Sequence, residues 1–281
     1  MQTKFFSIIV VALNPGEKLR ETLDSIKVQT CTDYEVVVKD GGSTDNSLET
    51  LEKEGYFEQF PSINIIRQSD KSIYDGMNQA VEHVNGRYVE FLNCGDCFYD
   101  ETVLERVAEY IIAAEKEELK EENVDSAIFY GNQFNRLQNS IVTSAPVIND
   151  FTCYRNVPCH QVCFYSACLF KERAFKVEYT VRADYEHFLY SVYVKKAKTF
   201  AMPHIICFYE GGGYSETKEN RKKSALQHKE ITDYYLGKKA FQYRLVMILT
   251  LAGLRGRIAE SKILSVPYNA LKTMIYKMKQ E

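Results

Sequence analysis

The chain has 281 residues and a net charge of −3, from 35 Lys+Arg against 38 Asp+Glu. That sum hides a split: residues 221–281 carry thirteen basic and four acidic side chains (+9), leaving 22 basic and 34 acidic (−12) on residues 1–220. An acidic body excludes a surface that wraps nucleic acid, because phosphate binding needs a basic face, and 14 Gly with 6 Pro exclude a collagenous or low-complexity chain.

Phe5–Ala12 is a continuous β-branched run, which predicts a strand buried on both faces. It is too short for a signal peptide and no small-residue cleavage site follows, so a cytoplasmic location is expected. Asn14-Pro15-Gly16 breaks the strand, and Leu19, Leu23 and Ile26 then recur at helical spacing over Glu17–Val28. Tyr34–Lys39 reads as a second strand, closed by Asp40-Gly41-Gly42-Ser43, and Thr44-Asp45 as the start of a helix with Leu48 and Leu51 inward. Ile63–Ile66 predicts a third strand, Tyr74–Val84 a helix, and Arg87–Leu92 a fourth strand. Strands alternating with helices at this spacing predict a mostly parallel sheet with right-handed crossovers.

Glu101–Glu122 reads as a long amphipathic helix with a solvated acidic end. Ala127–Tyr130 and Ser140–Pro146 read as a hairpin with Gly131-Asn132 near one end, Cys159–Tyr165 as a strand, and Ala183–Tyr193 as a helix. Thr199–Tyr209 is the last expected strand, before Gly211-Gly212-Gly213. Everything after Ser215 reads as helix, where the charge also changes sign, so a boundary is placed there: a body, 1–215, and a basic helical extension, 216–281. The eight cysteines, including the Cys94/Cys97 pair, read as small buried thiols, since no second pair of zinc ligands accompanies them.

Ligands of open parallel sheets bind beyond the carboxyl ends of the strands. Those ends are Ala12-Leu13-Asn14, Asp40-Gly41-Gly42-Ser43, Ser69-Asp70-Lys71 and Asn93-Cys94-Gly95-Asp96, so Asp40, Asp70 and Asp96 stand along one edge. Neither a dinucleotide fingerprint nor a Walker loop follows the first strand. An acidic site that holds a phosphate needs a cation between the negative charges.

These segments resemble a known family. S-I-I-V-V-A-L-N (7–14), V-V-K-D-G-G-S-T-D (37–45), S-D-K-S-I-Y-D-G-M-N (69–78) and G-R-Y-V-E-F-L-N-C-G-D (86–96) are similar, in order and spacing, to family 2 glycosyltransferases. The nearest branch assembles bacterial capsule, exopolysaccharide and lipopolysaccharide. C-H-Q-V-C-F-Y (159–165) and R-A-D-Y-E-H-F-L (182–189) resemble its acceptor-side motifs. The resemblance implies a GT-A fold: a mostly parallel, Rossmann-like α/β sheet flanked by helices, here with a C-terminal helical extension. It also implies inverting, metal-dependent transfer from a nucleotide-diphosphate sugar, UDP-linked, to a hydroxyl of a polysaccharide or lipid-linked precursor.

Carried over residue by residue, Asp40 would accept the uracil imide proton, with Ala12, Leu13 and Asn14 beside the base and Gly41 and Ser43 at the turn next to the nucleotide. Asp70, Asp75 and Asn78 would line the sugar and ribose side. Asn93, Cys94, Gly95 and Asp96 fall on the family's Asp-x-Asp motif, but Asn replaces its first Asp, so Asp96 alone remains as ligand for Mn²⁺ or Mg²⁺. Asp184 matches the base that removes the acceptor proton. Glu186 is its fallback, although two residues apart on a helix point to different sides. His160 and Gln161 would lie on the acceptor side. Gly211–Gly213 and Ser215 resemble a loop that closes over the diphosphate.

The tail holds the apolar run Leu245–Leu254 between Arg244 and Arg255, followed by Tyr268, Leu271, Met274, Ile275 and Met278. Ten uncharged residues fall short of the ~20 that span a bilayer. Basic flanks and apolar faces suit either a helix lying on an anionic leaflet or one packed on the acidic body. Two other functions stay open. A nucleotidyltransferase would need a phosphate loop after the first strand, which Asn14-Pro15-Gly16 does not supply. A degenerate GT-A module, binding nucleotide sugar or scaffolding a synthase without catalysis, is compatible with Asn93 and Gly95.

Overall fold

A nine-stranded sheet organises the computed structural model, which describes residues 3–119, 126–155, 157–211, 217–249 and 265–277. Its first half is parallel: β1 (Phe6–Ala12), β2 (Tyr34–Asp40), β3 (Ile63–Arg67) and β4 (Tyr88–Phe91) lie in the order β3-β2-β1-β4. The helices between them are α1 (Lys18–Lys27), α2 (Ser47–Lys53) and α3 (Ile73–Val81). Each buries the face its periodicity predicts: Leu19, Leu23 and Ile26 in α1, Leu48 and Leu51 in α2. α3 starts where Ser72 accepts a hydrogen bond from the Asp75 amide, an N-cap that satisfies one of the helix's open donors.

The second half is mixed. After β5 (Cys97–Phe98) and α4 (Val103–Ala114) come β6 (Ala127–Asn135), β7 (Ser140–Val142), α5 (Asp150–Arg155), β8 (Cys163–Ser166), α6 (Cys168–Glu172), α7 (Ala183–Tyr193) and β9 (Lys198–Tyr209). The order continues β4-β8-β6-β9-β5, with β7 on β6; β6 and β9 run parallel and the other pairs are antiparallel.

Several elements depart from expectation. β6 runs through Gly131-Asn132 to Asn135, and the turn to β7 comes later. Gly131 marks a shift in the β6–β9 register; a Cβ there would stand 2.6 Å from the His204 carbonyl oxygen, so the close approach requires glycine. The strand expected over 159–165 begins only at Cys163, and His160–Val162 form a 3₁₀ turn ahead of it. β5, α5 and α6 are short elements absent from the sequence reading.

The tail continues the body. α8 (Lys218–Leu236) is capped by Thr217, which accepts from the Asn220 amide, and stops at Gly237, φ +53°. Its Ile231 belongs to the main core, and Leu236 joins Tyr154 and Ala240 of α9 (Lys238–Leu249) in a smaller cluster. α10 (Ser265–Lys277) lies on β7 through Asn269–Ser140 and Thr273–Thr143 hydrogen bonds. Among the described residues no helix is long and apolar enough to cross a membrane. The expected closing loop at 212–215, the helix end near Glu122, the apolar run from 250 onward, Met278 and the Ile275 side chain lie outside the described residues.

Candidate active site

The expected site residues fall into two groups. The first is built by the loops after β1 and β2, which are bonded to each other. Asn14, at φ +48°, receives the Thr44 amide on Oδ1, while its own amide donates to Ser43 Oγ, both at 2.8 Å. The Gly41 amide donates to the Ala12 carbonyl at 2.9 Å. Asp40, nearly buried at the end of β2, accepts from the Ser43 amide at 3.0 Å and from Ser43 Oγ at 2.5 Å. Leu13 stands 61% exposed between these loops.

Under them lies a residue the sequence reading passed over. Lys39 is fully buried, and its Nζ donates to Asp70 Oδ2 at 2.9 Å and to the carbonyls of Asp40 (2.9 Å) and Gln68 (2.5 Å). A Cβ on Gly41 would meet Asp70 Oδ2 at 2.6 Å, so glycine lets the Asp40 loop sit directly on this pair. Asp70 therefore holds the loops together rather than reaching into open space. The signal was visible as a lysine ending an apolar strand, since a buried ammonium must be paired.

The second group surrounds a cavity of about 250 Å³ at the carboxyl ends of the strands. Asp96 and Asp184 both line it, with Asn93, Cys94, His160 and Gln161 between them. Asp184, on the first turn of α7, accepts from the Tyr74 hydroxyl at 2.8 Å, and its other oxygen is 3.2 Å from His160 Nδ1. His160 Nε2 in turn meets Asn93 Nδ2 at 2.9 Å. An amide N–H donates, so His160 Nε2 accepts and Nδ1 carries the proton toward Asp184. Burial pushes the Asp184 carboxyl up, but the hydrogen bonds from His160 and Tyr74, with the charge of Arg182, hold it below its ordinary value. Asn93 Oδ1 is buried with no partner among the described residues.

Asp96 is 4% exposed; its oxygens accept from Gln161 Nε2 and from the Glu210 amide, each at 2.9 Å. Burial raises its pKa against those two bonds. A Cβ on Gly95, φ +102°, would meet Glu210 Oε2 at 2.6 Å, and Glu210 pairs with Lys18 at 2.8 Å. Thr22 of α1 clamps the turn, donating to the Asp96 carbonyl and accepting from the Gly95 amide. The consecutive residues of the 3₁₀ turn thus bond different carboxylates, His160 to Asp184 and Gln161 to Asp96.

A cation fits this site only if chain and substrate share its coordination. Among the described residues no three His, Cys, Asp or Glu side chains converge as a metal group. Each Asp96 oxygen retains a second lone pair, so the chain supplies one carboxylate and the other ligands must come from the substrate or from water.

Three expected residues lie off the cavity. Asn78 exchanges two hydrogen bonds with the Phe175 backbone, at 2.8 and 2.9 Å, and fastens α3 to the loop before α7. Asp75 accepts from the Lys71 amide at the start of α3. Glu186, 1% exposed, points away from Asp184: it forks onto Arg173 at 3.0 and 2.6 Å and receives the Tyr235 hydroxyl of α8 at 2.5 Å. An offset of two residues turns a helical side chain by about 200°, so the residue expected as the fallback base, on the acceptor side, ties α7 to the tail. The eight cysteines are all free thiols.

Comparison with known proteins fits this geometry. Residues 7–117 match the model of glycosyl transferase family 2. A "PGL/p-HBAD biosynthesis glycosyltransferase" of Mycobacterium bovis is 33% identical over 222 residues, 77% of this chain and 81% of that protein. Among solved structures, S. aureus TarS 1-349 in complex with UDP-GlcNAc aligns over 83% of this chain and 71% of its own, with TM-score 0.61 and 18% identity. The mannosyltransferase PcManGT from Pyrobaculum calidifontis, in complex with GDP-Man and Mn²⁺, aligns over 98% of this chain and 85% of its own, with TM-score 0.61 and 14% identity. Fold and relatives together define a glycosyltransferase of GT-A architecture. The chain belongs to glycosyltransferase family 2.

Proposed function

We propose that the enzyme transfers a sugar, with inversion, from a nucleotide-diphosphate sugar to a hydroxyl of a cell-surface polysaccharide or its lipid-linked precursor. The observation that carries this reading is the cavity lined by both Asp184 and Asp96. Its setting agrees with the nucleotide sugars held by TarS (UDP-GlcNAc) and PcManGT (GDP-Man). UDP is favoured here because the Asp40 carboxylate suits the imide N–H of uracil.

In this scheme the loops of Ala12–Asn14 and Asp40–Ser43 receive the base and ribose. Asp184 takes the proton of the acceptor hydroxyl as it attacks the anomeric carbon in line. Its depressed pKa keeps it ionised at neutral pH, and the Tyr74 and His160 bonds fix its direction. As the carboxylate gains the proton, His160 Nδ1 and the Tyr74 hydroxyl stay on it as donors and steady the orientation. A divalent cation, held by Asp96 together with diphosphate oxygens, would neutralise the charge of the leaving group.

The tail supports a location at an anionic membrane face. α9 exposes Phe241, Leu245, Ile248 and Leu249 beside Lys238, Lys239 and Arg244, the pairing of apolar and basic groups that an interfacial helix requires. Thermal unfolding with a panel of nucleotide sugars, with and without Mn²⁺, tests the donor. A UDP-sugar should raise the melting temperature, and more so with the cation; a chain indifferent to every UDP-sugar would remove the donor assignment.

A further inference from the structure

A second cavity of about 150 Å³ adjoins the first, and Cys159 lines both. Its walls come from Gln133 of β6, Val142–Ala145, the face of α5 bearing Thr152 and Arg155, and Lys272 of α10. The residues lining it include two cations and no Asp or Glu. Lys272 Nζ donates to the Thr143 carbonyl at 2.8 Å, which seats α10 on the body. That seat is a costly one for an ammonium: burial first, and then the charge of Arg155, lower the Lys272 pKa to about 8. Gln133 Oε1 faces a complementary lack, being buried with no hydrogen-bond partner among the described residues.

We infer that this cavity is a subsite for a glycosyl phosphate, with the phosphate between Arg155 and Lys272 and a sugar hydroxyl donating to Gln133. A guanidinium forks onto phosphate oxygens, and an ammonium adds a point charge with three donors. The anion removes the repulsion that the two cations impose on each other, and the hydroxyl satisfies a buried acceptor of this cavity's lining that has no partner among the described residues. The subsite rests on the transfer reading above for its purpose: a saccharide anchored here by its phosphate could extend past Cys159 and present a hydroxyl at Asp184. It also gives the basic tail a part in acceptor choice, since Lys272 belongs to the last described helix.

Thermal unfolding of the full chain with glucose 1-phosphate, inorganic phosphate and UDP tests it, on the parent, Lys272→Gln and Arg155→Gln. Glucose 1-phosphate should stabilise the parent, and its affinity should fall about tenfold in each variant, with the UDP response unchanged. No stabilisation of the parent by either phosphate, or equal stabilisation of all three proteins, overturns the subsite. Lys272→Gln also loses its bond to Thr143; should it fail to fold, Arg155→Gln decides. The UDP arm separates the two readings: a UDP response without a phosphate response removes only this subsite, and the reverse removes only the donor assignment. Phosphatidylcholine vesicles doped with dihexadecyl phosphate then identify the source. Retention of the parent but of neither variant assigns a lipid-borne phosphate, and stabilisation by glucose 1-phosphate alone assigns a soluble one.

Discussion

The two halves of the sheet treat their polar groups differently. In the parallel half, Asp40, Ser43, Asn14, Asp70 and Lys39 satisfy one another, so the loops form a closed frame before any ligand arrives. Where the mixed half meets the end of β4, Asp184, His160 and Asn93 are bonded in a line beside the cavity, and the line ends in an Asn93 oxygen with no partner among the described residues. One half is shaped in advance; the other keeps capacity unspent. A transferase needs both, because a donor must be held in a fixed pose while a proton moves nearby.

The largest effect should come from breaking the reactive line. Asp184→Asn keeps the shape but cannot take a proton, and transfer should fall by about 10²–10⁴-fold, measured as kcat, with donor affinity retained. A variant that still transfers at the parent rate would move the base elsewhere. Next come the buried ion pairs. Lys39→Met strands Asp70, and Glu186→Ala strands Arg173; each should lose about 3–5 kcal/mol in urea unfolding. They should part in function: Lys39→Met also loosens the donor loops and weakens nucleotide binding, whereas the folded fraction of Glu186→Ala should transfer normally.

Glu90 sharpens the contrast from beneath the site. It is fully buried on β4, neither oxygen has a partner among the described residues, and burial raises its pKa well above 4.5. The folded state therefore holds a proton that the unfolded chain releases, so the parent should lose stability as pH rises above 4.5 toward the folded value. Glu90→Leu should flatten that slope and stabilise the protein at neutral pH by about 1–3 kcal/mol, read from urea midpoints across the pH range. The smallest effect is expected in the frame itself: Ser43→Ala removes the hydroxyl from Asp40 and the Asn14 amide, for about 1 kcal/mol of stability and a modest loss of nucleotide affinity by calorimetry.

How far the sequence could be read follows the same division. β1, β2, α1 and α7 were legible because long apolar or periodic runs leave one reading open. The strand-end carboxylates were legible because parallel sheets place ligands there. β5 was not, since its two residues are a strand only by pairing with β9. Gly131 was read as part of a turn, although what requires it is a carbonyl from β9, a partner about 70 residues away. Glu186 was kept as a fallback by its motif although helical geometry already turned it from Asp184; its partners Arg173 and Tyr235 lie 13 and 49 positions away and leave no local signal. Lys39 was not legible as a paired cation because its partner Asp70 lies 31 positions away, in the loop after β3.

α10 also has a bearing on solubility. β7 is a short strand whose other side has no strand partner among the described residues, and an open strand edge can recruit the edge of another chain. Asn269, Lys272 and Thr273 lay α10 along that strand and the residues just after it. A chain cut ahead of residue 265 would therefore uncover β7, and its first symptom should be self-association rather than loss of the catalytic cavity.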